Sequence, residues 1–209
     1  LTDGRHAKVV FGNNWKEDAL RRDFTINALY ADEYGTIFDP TGFGYKDLED
    51  KILRFIGVPK KRIMEDNLRV IRYFRFFPKY SNNIHKASFV ACIKNAKFVK
   101  SLSAERICRE FNKMILDKSF SKSLLIMLDN NLLKYIYSSN TLKDLSLSKK
   151  YSNQICRVLF KKSNNIKNPF LLFTSIIISF SRPKNNNYEL LTNEIAQRLN
   201  FSKNDKKSM

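Results

Sequence analysis

The distribution of glycine divides the chain into two parts that cannot fold alike. All six glycines of the 209 residues lie before residue 58. Glycine permits the positive-φ turns that other residues resist, so the chain up to residue 57 can reverse direction often. After residue 57 the apolar residues recur at helical periods between polar turns. We therefore predict an α+β fold, with a short β-hairpin and helices over 1–57 and an all-α remainder.

The glycine-containing part carries the strand and turn signals. Tyr34-Gly35 separates two β-favouring runs, 28–31 and 36–38, and this pattern predicts a β-hairpin closed by a tight turn. The other elements predicted there are a strand at His6–Phe11, a short helix at Trp15–Arg22 and a helix that opens at Tyr45–Lys51.

The later part is predicted to consist of helices joined by polar turns. Residues 138–209 are expected to form a helical body with a partly disordered tail. Ser103 is a candidate N-cap, and Arg106 is free to pair with Glu110 one helical turn later. The helices predicted before the body lie at about 62–77, 85–99, 103–116 and 119–129.

The stretch Arg62–Phe77 is the most informative of these helices. Its predicted apolar stripe contains Met64, Leu68, Ile71 and Phe74, and its charged row contains Glu65, Asp66, Arg69, Arg72 and Arg75. One interpretation is a solvated face with helical ion pairs, above all Glu65–Arg69. The other is a surface that reads a base and its phosphates, because a carboxylate accepts from an exocyclic amine and arginines donate to ring atoms and phosphates.

Charge and cysteine content narrow the class of protein. The net charge of +18 favours a polyanionic partner, most plausibly nucleic acid. The three cysteines lie far apart without C-x-x-C spacing, which indicates reduced thiols rather than a zinc site or a disulfide framework. The longest apolar run, 170–180, is far short of the roughly 20 residues that span a membrane. We expect a cytoplasmic protein without a membrane partner.

Several segments, in fixed order and spacing, resemble one family. They are RRDFTINAL at 21–29, D-E-x-G-x-I-x-D-P at 32–40, D-L-x-D-K-x-L-R at 47–54 and E-D-N-L-R-V-I-R-x-x-R-F at 65–76, flanked by TDGRHA at 2–7 and AERI at 104–107. Together they resemble the class II RNA nucleotidyltransferases, which are the tRNA CCA-adding enzymes and the bacterial poly(A) polymerases. The resemblance implies a partial nucleotidyltransferase head at 1–57, a helical neck at 58–137 with a base-recognition helix at 62–77, and the body at 138–209.

The resemblance also implies roles for particular residues. The family adds nucleotides to an RNA 3′ end without a nucleic-acid template, with ATP and CTP as substrates. Asp66 and Arg69 match the residues that read the base. The other residues matched to nucleotide binding are Arg22, Asp23, Arg72 and Arg75, and those matched to the hinge or to supporting positions are Asp39, Gly42, Asp47, Glu105 and Arg106.

The metal site of the family is not matched in this sequence. In the family, Mg²⁺ is held by a D-x-D pair on an early strand, in a segment upstream of the position matched by Leu1. Asp47 and Glu49 have that spacing, but side chains at i,i+2 of a helix point apart. We therefore expect no catalytic or metal-binding residue in this chain and no activity from the chain alone. The expected partners are tRNA or another RNA 3′ end and a separately encoded head segment.

Three further hypotheses remain open at this stage. The motifs are shared by CCA addition and poly(A) synthesis, so either activity fits. A non-catalytic remnant that binds nucleotides or tRNA would keep the base-reading residues without the carboxylate pair. A helical interaction scaffold would use the charged rows only as solvated surface.

Overall fold

The computed structural model describes residues 14–137 and, near the C-terminus, Glu189, Asn193, Ala196 and Gln197. The strand predicted at 6–11 and nearly all of the body and tail predicted at 138–209 lie outside these residues. The helices and strands are α1 Trp15–Arg21, β1 Tyr30–Ala31, β2 Ile37–Phe38, α2 Gly44–Glu49, α3 Pro59–Glu65, α4 Leu68–Tyr80, α5 Lys86–Asn95, α6 Ala104–Ile115, α7 Phe120–Asp129 and α8 Leu133–Tyr137. Short 3₁₀ turns lie at Thr25–Asn27 and Ala96–Ser101.

The predicted β-hairpin is confirmed. Tyr30 lies opposite Phe38, and Ala31 lies opposite Ile37, in an antiparallel pair. The carboxylate of Asp32 accepts hydrogen bonds from the backbone N–H groups of Tyr34 at 3.0 Å and Thr36 at 2.8 Å. Gly35 closes the turn with a φ of +83°, a conformation that costs glycine little. The mixture of this hairpin and many helices is the α+β class that the glycine distribution predicts.

Helix α4 occupies the centre of the main hydrophobic core. The ring of its fully buried Tyr73 lies between 5.4 and 6.4 Å from the rings of Phe24, Phe55, Phe74, Phe77 and Phe89. The core continues through α6 and α7 to Ile136. Because Phe24 and Phe55 belong to it, the glycine-containing segment packs directly on the helices, and the domain boundary at residue 57 stays a prediction. Within the described part, no helix is long and apolar enough to cross a membrane.

The prediction of a single helix over 62–77 is wrong, because two helices meet there. Helix α3 ends at Glu65, Asp66 is extended with φ −152° and ψ 104°, and α4 begins at Leu68. The Asp66 carboxylate accepts from the backbone N–H of Leu68 at 3.0 Å, a local bond with which aspartate competes against a continuing helix. The predicted apolar stripe breaks at the same point, since Met64 is 62% exposed whereas Ile71 and Phe74 are buried.

Three other local predictions need correction. The helix predicted at 85–99 is α5 only as far as Asn95, and a 3₁₀ turn follows it. Ser103 does precede α6, but its side chain makes no capping hydrogen bond. Arg106 does not pair with Glu110: its guanidinium binds Asp66, while Glu110 binds arginines of α4. The two long-range ion pairs form instead of the Arg106–Glu110 pair, because packed helices hold both ends of each long-range pair in place.

A histidine joins the start of α5 to the glycine-containing segment. His85 Nδ1 lies 2.7 Å from the Ser88 hydroxyl, and that hydroxyl accepts from the backbone N–H of Phe55 at 3.2 Å. Ser88 is completely buried. Burial of the ring, and then the positive charge of Arg54, lower the pKa of His85 below its ordinary 6.5, while Asp47 opposes the shift. The folded chain therefore favours the neutral imidazole.

This arrangement predicts acid-sensitive stability. Above about pH 7 the histidine is neutral in both states and contributes no pH dependence. As the pH falls through 6.5 the unfolded chain takes up a proton that the folded chain resists, so the free energy of unfolding decreases. Urea unfolding between pH 7.5 and 6.0 measures the effect. The His85→Asn variant should show a smaller decrease over that interval; an unchanged decrease would contradict the assignment to His85.

Candidate nucleotide-binding cavity

A cavity of about 520 Å³ opens where the end of α1, the turn at Thr25–Asn27 and the start of α4 meet. Five of the residues that the sequence assigns to nucleotide binding line it: Arg22, Asp23, Asp66, Arg69 and Arg72. Arg21, Asn27, Leu68 and Phe76 complete the lining. Positions that are up to 50 residues apart in sequence therefore converge on one site.

The break between α3 and α4 places Asp66 at the cavity. Nη2 of Arg106, on α6, lies 2.9 Å from each carboxylate oxygen of Asp66, and the Leu68 N–H binds Oδ1. A carboxylate offers about four acceptor positions. These bonds occupy two positions on Oδ1 and one on Oδ2, so within the part of the chain that the structure describes Oδ2 keeps one position for a further donor. Arg106 therefore orients Asp66 and balances its charge without exhausting its capacity to accept.

Arg69 is held by one side of its guanidinium. Nη1 donates to the Arg62 carbonyl at 2.6 Å and to Glu65 at 2.8 Å, and Nη2 reaches the Arg21 carbonyl only at 3.4 Å. The ion pair with Glu65 that the sequence suggested is thus present. Among the residues that the structure describes, Nε of Arg69 has no hydrogen-bond partner. The Nε and Nη2 edge is the fork with which arginine binds paired acceptors.

Arg72 connects the cavity to the segment before the hairpin. Its Nε and Nη2 lie 2.7 and 2.6 Å from Oδ2 of Asp23, which is nearly buried. The other oxygen of Asp23 accepts from the backbone N–H of Phe24 and from the amide of Asn27, both at 2.9 Å. The carboxylate of Asp23 is therefore engaged on both oxygens, and its clearest function in this state is to orient Arg72.

Arg21 and Arg22 share a carboxylate at the end of α1. Both bind Asp18, and the guanidinium of Arg22 also lies 5.4 Å from the centre of the Tyr30 ring. The hydroxyl of Tyr30 donates to the same carboxylate. The hydrogen bonds from Tyr30, Arg21 and Arg22 hold the pKa of Asp18 well below its ordinary value. The two arginines therefore have a fixed counterion, Asp18, at the edge of the cavity.

Arg75, the sixth predicted nucleotide-binding residue, does not line the cavity. Its Nε donates to Glu110 at 2.9 Å, and its guanidinium lies 4.1 Å from the centre of the Phe76 ring. Its contact with a nucleotide stays a prediction.

The residues predicted for the hinge lie outside the cavity lining. Asp39 accepts from Thr41, Gly42 and Tyr45 in the loop before α2, and Gly42 has a φ of +73°. Asp47, on α2, is buried against Arg54. Burial alone would raise the pKa of Asp39, but the bonds from Thr41, Tyr45 and Gly42 outweigh it and the pKa is lowered. Glu105 precedes Arg106 in the first turn of α6. These hinge roles stay predictions.

Sequence reasoning missed four lining residues. Arg21 could have been found, because it directly precedes Arg22 in the RRD motif, and Asn27 lies four residues after Asp23. Leu68 was assigned only to the apolar stripe of the helix, and Phe76 was given no role beyond its place in the motif at 65–76. Their place in the lining depends on where α4 begins, which the pattern did not give.

The described residues do not fit a magnesium ion. No group of three or more histidine, cysteine, aspartate or glutamate side chains in the described part could hold a metal. The two acidic residues in the cavity, Asp23 and Asp66, each face an arginine. A divalent cation prefers several free oxygen ligands, and it would have to displace those arginines. With four arginines and two aspartates in its lining, the cavity favours an anion such as a triphosphate.

Comparison with known proteins gives two family matches. The poly A polymerase head domain family matches residues 2–54, and the family described as the probable RNA and SrmB-binding site of polymerase A matches residues 83–140. Together these matches cover more than half of the chain.

Curated relatives are similar over a longer stretch. Human mitochondrial CCA tRNA nucleotidyltransferase 1 is 39% identical over 138 residues, which are 65% of this chain and 32% of that protein. The CCA-adding enzyme of Anoxybacillus flavithermus is 34% identical over 140 residues, which are 67% of this chain and 35% of that enzyme. The chain thus spans about a third of the length of the curated relatives it matches.

Solved structures share the fold. The Thermotoga maritima CCA-adding enzyme in complex with tRNA has a TM-score of 0.69 at 20% identity, over 91% of this chain and 46% of that one. A CCA-adding enzyme in complex with ATP has a TM-score of 0.71 at 20% identity, over 90% and 45%. From the cavity motifs, the two family matches and the curated relatives, the chain belongs to the RNA nucleotidyltransferase family of CCA-adding enzymes and poly(A) polymerases.

Proposed function

We propose that this chain recognises the incoming base in a template-independent RNA nucleotidyltransferase that adds C and A to tRNA 3′ ends. The observation that carries the proposal is the pair of open positions in one cavity. Among the described residues, Oδ2 of Asp66 accepts only from Arg106, Nε of Arg69 has no hydrogen-bond partner, and Nη2 of Arg69 reaches only the Arg21 carbonyl, at 3.4 Å. One acceptor beside a fork of donors can read the edge of a base.

The chemistry of this pair fits two of the four bases. Cytosine and adenine present an exocyclic amine beside a ring nitrogen that accepts. The amine can donate to Asp66 while the ring nitrogen accepts from Arg69. Uracil and guanine present a carbonyl beside a ring N–H. In either base the carbonyl would face the acceptor Asp66, and the ring N–H would face the donor Arg69. An unpaired polar group of this kind costs about 1–3 kcal/mol, and the pair therefore selects C and A over U and G.

The arginines supply the remaining recognition. Arg21 and Arg22 lie at the α1 side of the cavity and Arg72 lies on α4. Phosphate oxygens bind arginine through charge-assisted hydrogen bonds. We assign the triphosphate to this group because the described lining contains twice as many arginines as aspartates.

The names of relatives favour CCA addition over poly(A) synthesis. The curated relatives are CCA-adding enzymes, and CCA-adding enzymes have been solved with ATP, with CTP and with tRNA. A poly(A) polymerase would need to read adenine only. We propose ATP, CTP and tRNA as ligands, and Mg²⁺ as a requirement whose ligands are not assigned to the described residues. Cytoplasmic location is part of the same proposal and is supported by the buried thiol of Cys92, which forms no disulfide bond with another described residue.

Calorimetric titration of the 209-residue chain with each of the four nucleoside triphosphates tests the proposal. We expect CTP and ATP to bind about tenfold or more tightly than UTP and GTP, since each mismatched edge leaves polar groups unpaired. Equal affinities would contradict base reading and leave only phosphate binding, which falls steeply with salt. Absence of binding by any of them would favour the interaction scaffold.

An incorporation assay separates the enzyme from a non-catalytic binder. The chain is incubated with Mg²⁺, labelled CTP or ATP, and tRNA that lacks its 3′ end, with and without a nucleotidyltransferase head segment that bears the D-x-D pair. Incorporation of both C and A after addition of the head segment supports CCA addition. Incorporation of A alone supports poly(A) synthesis, and no incorporation in either case supports a binding remnant.

A further inference from the structure

We propose that Glu110 is a positioning residue for the cavity: it keeps Arg75 out of the lining and fixes Arg72 against Asp23. The inference rests on the proposed function, because it concerns how the nucleotide-binding arginines are held. Among the described contacts of Glu110, those with Arg72, Arg75 and Lys113, only the contact with Arg72 involves a residue that lines the cavity.

The carboxylate of Glu110 is buried among three cations. It belongs to α6, is only 3% exposed, and accepts from Nε of Arg75 at 2.9 Å. Its other oxygen lies 3.6 Å from Nη1 of Arg72 and 3.3 Å from Nζ of Lys113. A buried carboxylate persists where several donors compensate its desolvation. The position is therefore specific for a negative charge.

The two arginines would repel each other without that charge. Arg72 and Arg75 lie three residues apart on α4, on the same side of the helix. Their guanidinium groups lie 5.5 and 4.1 Å from the centre of one ring, that of Phe76. Phe76 lines the cavity. Because Glu110 binds Arg75, the guanidinium of Arg75 stays on the α6 side and leaves the cavity to Arg72.

Arg72 is consequently fixed from two directions. One direction is Asp23, from the segment before the hairpin, and the other is Glu110, from α6. Both carboxylates are at least 90% buried, so neither has a solvent-exposed alternative position. Fixing the guanidinium in advance avoids the loss of side-chain freedom when a nucleotide binds.

Helix α6 therefore supports the cavity through two of its residues. Arg106 and Glu110 lie one helical turn apart with opposite charges, yet they do not pair with each other: Arg106 binds Asp66, just before α4, and Glu110 binds Arg75, within α4. Arg106 orients the base-reading Asp66, and Glu110 orients Arg72.

The Glu110→Gln variant tests the inference by titration with CTP and ATP and by thermal unfolding. The glutamine keeps the shape but removes the charge that separates Arg72 from Arg75. We expect the affinity for both nucleotides to fall about tenfold, because a misplaced recognition group loses its hydrogen bonds. The matched control is Asp117→Asn, which removes a different ion pair of α4, that between Lys79 and Asp117. It should leave both affinities unchanged.

Each outcome decides the inference. Wild-type affinity in Glu110→Gln, even with reduced thermal stability, would overturn it and leave Glu110 a purely structural residue. If Glu110→Gln does not fold, Glu110→Asp is measured instead: intermediate affinity supports the inference, and wild-type affinity overturns it. Failure of the proposed function is distinguishable, because the unsubstituted chain would then show no preference for CTP and ATP over UTP and GTP.

Discussion

In the Asp66→Asn variant, we expect the ratio of the affinity for CTP to that for UTP to fall by about 10- to 100-fold, which is the range that a mismatched base contact costs. Asparagine replaces the acceptor by an amide that can also donate, so it can meet the O4 carbonyl of uracil as well as the amine of cytosine. It also lacks the charge that binds Arg106. Affinity for CTP should fall and affinity for UTP should rise relative to it.

Competition titrations with both nucleotides measure the change in preference. The matched control is Asp129→Asn on α7, a residue that is exposed and does not line the cavity. The control should keep the wild-type ratio, since it changes the same net charge without touching the base. A wild-type ratio in Asp66→Asn would show that Asp66 does not read the base, and the pairing with Arg106 would then be its whole function.

The convergence of the cavity residues was expected only from the resemblance to the family, which matches both of their segments to nucleotide binding. Arg22 and Asp23 belong to one segment and Asp66, Arg69 and Arg72 to another, and the structure brings both segments to one cavity. The hairpin, by contrast, was predictable from its own segment, since Asp32 and Gly35 supply the bonds and the positive φ of its turn locally. The turn of the hairpin is thus determined by the chemistry of its own residues.

The helix break at Asp66 could not be found by periodicity. The sequence on both sides keeps a helical pattern, and aspartate and asparagine are tolerated inside helices at modest cost. What stabilises the extended Asp66 is partly distant: Arg106 lies 40 residues later and binds both carboxylate oxygens. A pattern that counts neighbours three or four residues away contains no information on such a partner. The same reasoning explains why Arg106 was paired with Glu110.

The Asp47→Ala variant is expected to lower the free energy of unfolding by about 3 kcal/mol, at the lower end of what breaking a buried ion pair costs. Asp47 is 1% exposed and lies 2.9 Å from Nε of Arg54. It also accepts from the hydroxyl of Thr25 at 2.7 Å. The substitution leaves that hydroxyl with only the Arg54 carbonyl, at 3.5 Å, and removes the carboxylate from the guanidinium, although Arg54 is about a third exposed and regains some hydration.

Urea unfolding at pH 7.5 measures the loss, with Asp50→Ala as the matched control at the end of the same helix. The side chain of Asp50 is exposed, so its removal should change stability by no more than about 0.5 kcal/mol. A similarly small change in Asp47→Ala would mean that solvent replaces its partners readily. That result would favour the hinge predicted at Asp47, because a joint that moves between two states cannot depend on one buried pair. A large loss instead makes this part of the chain a rigid support on which the cavity is built.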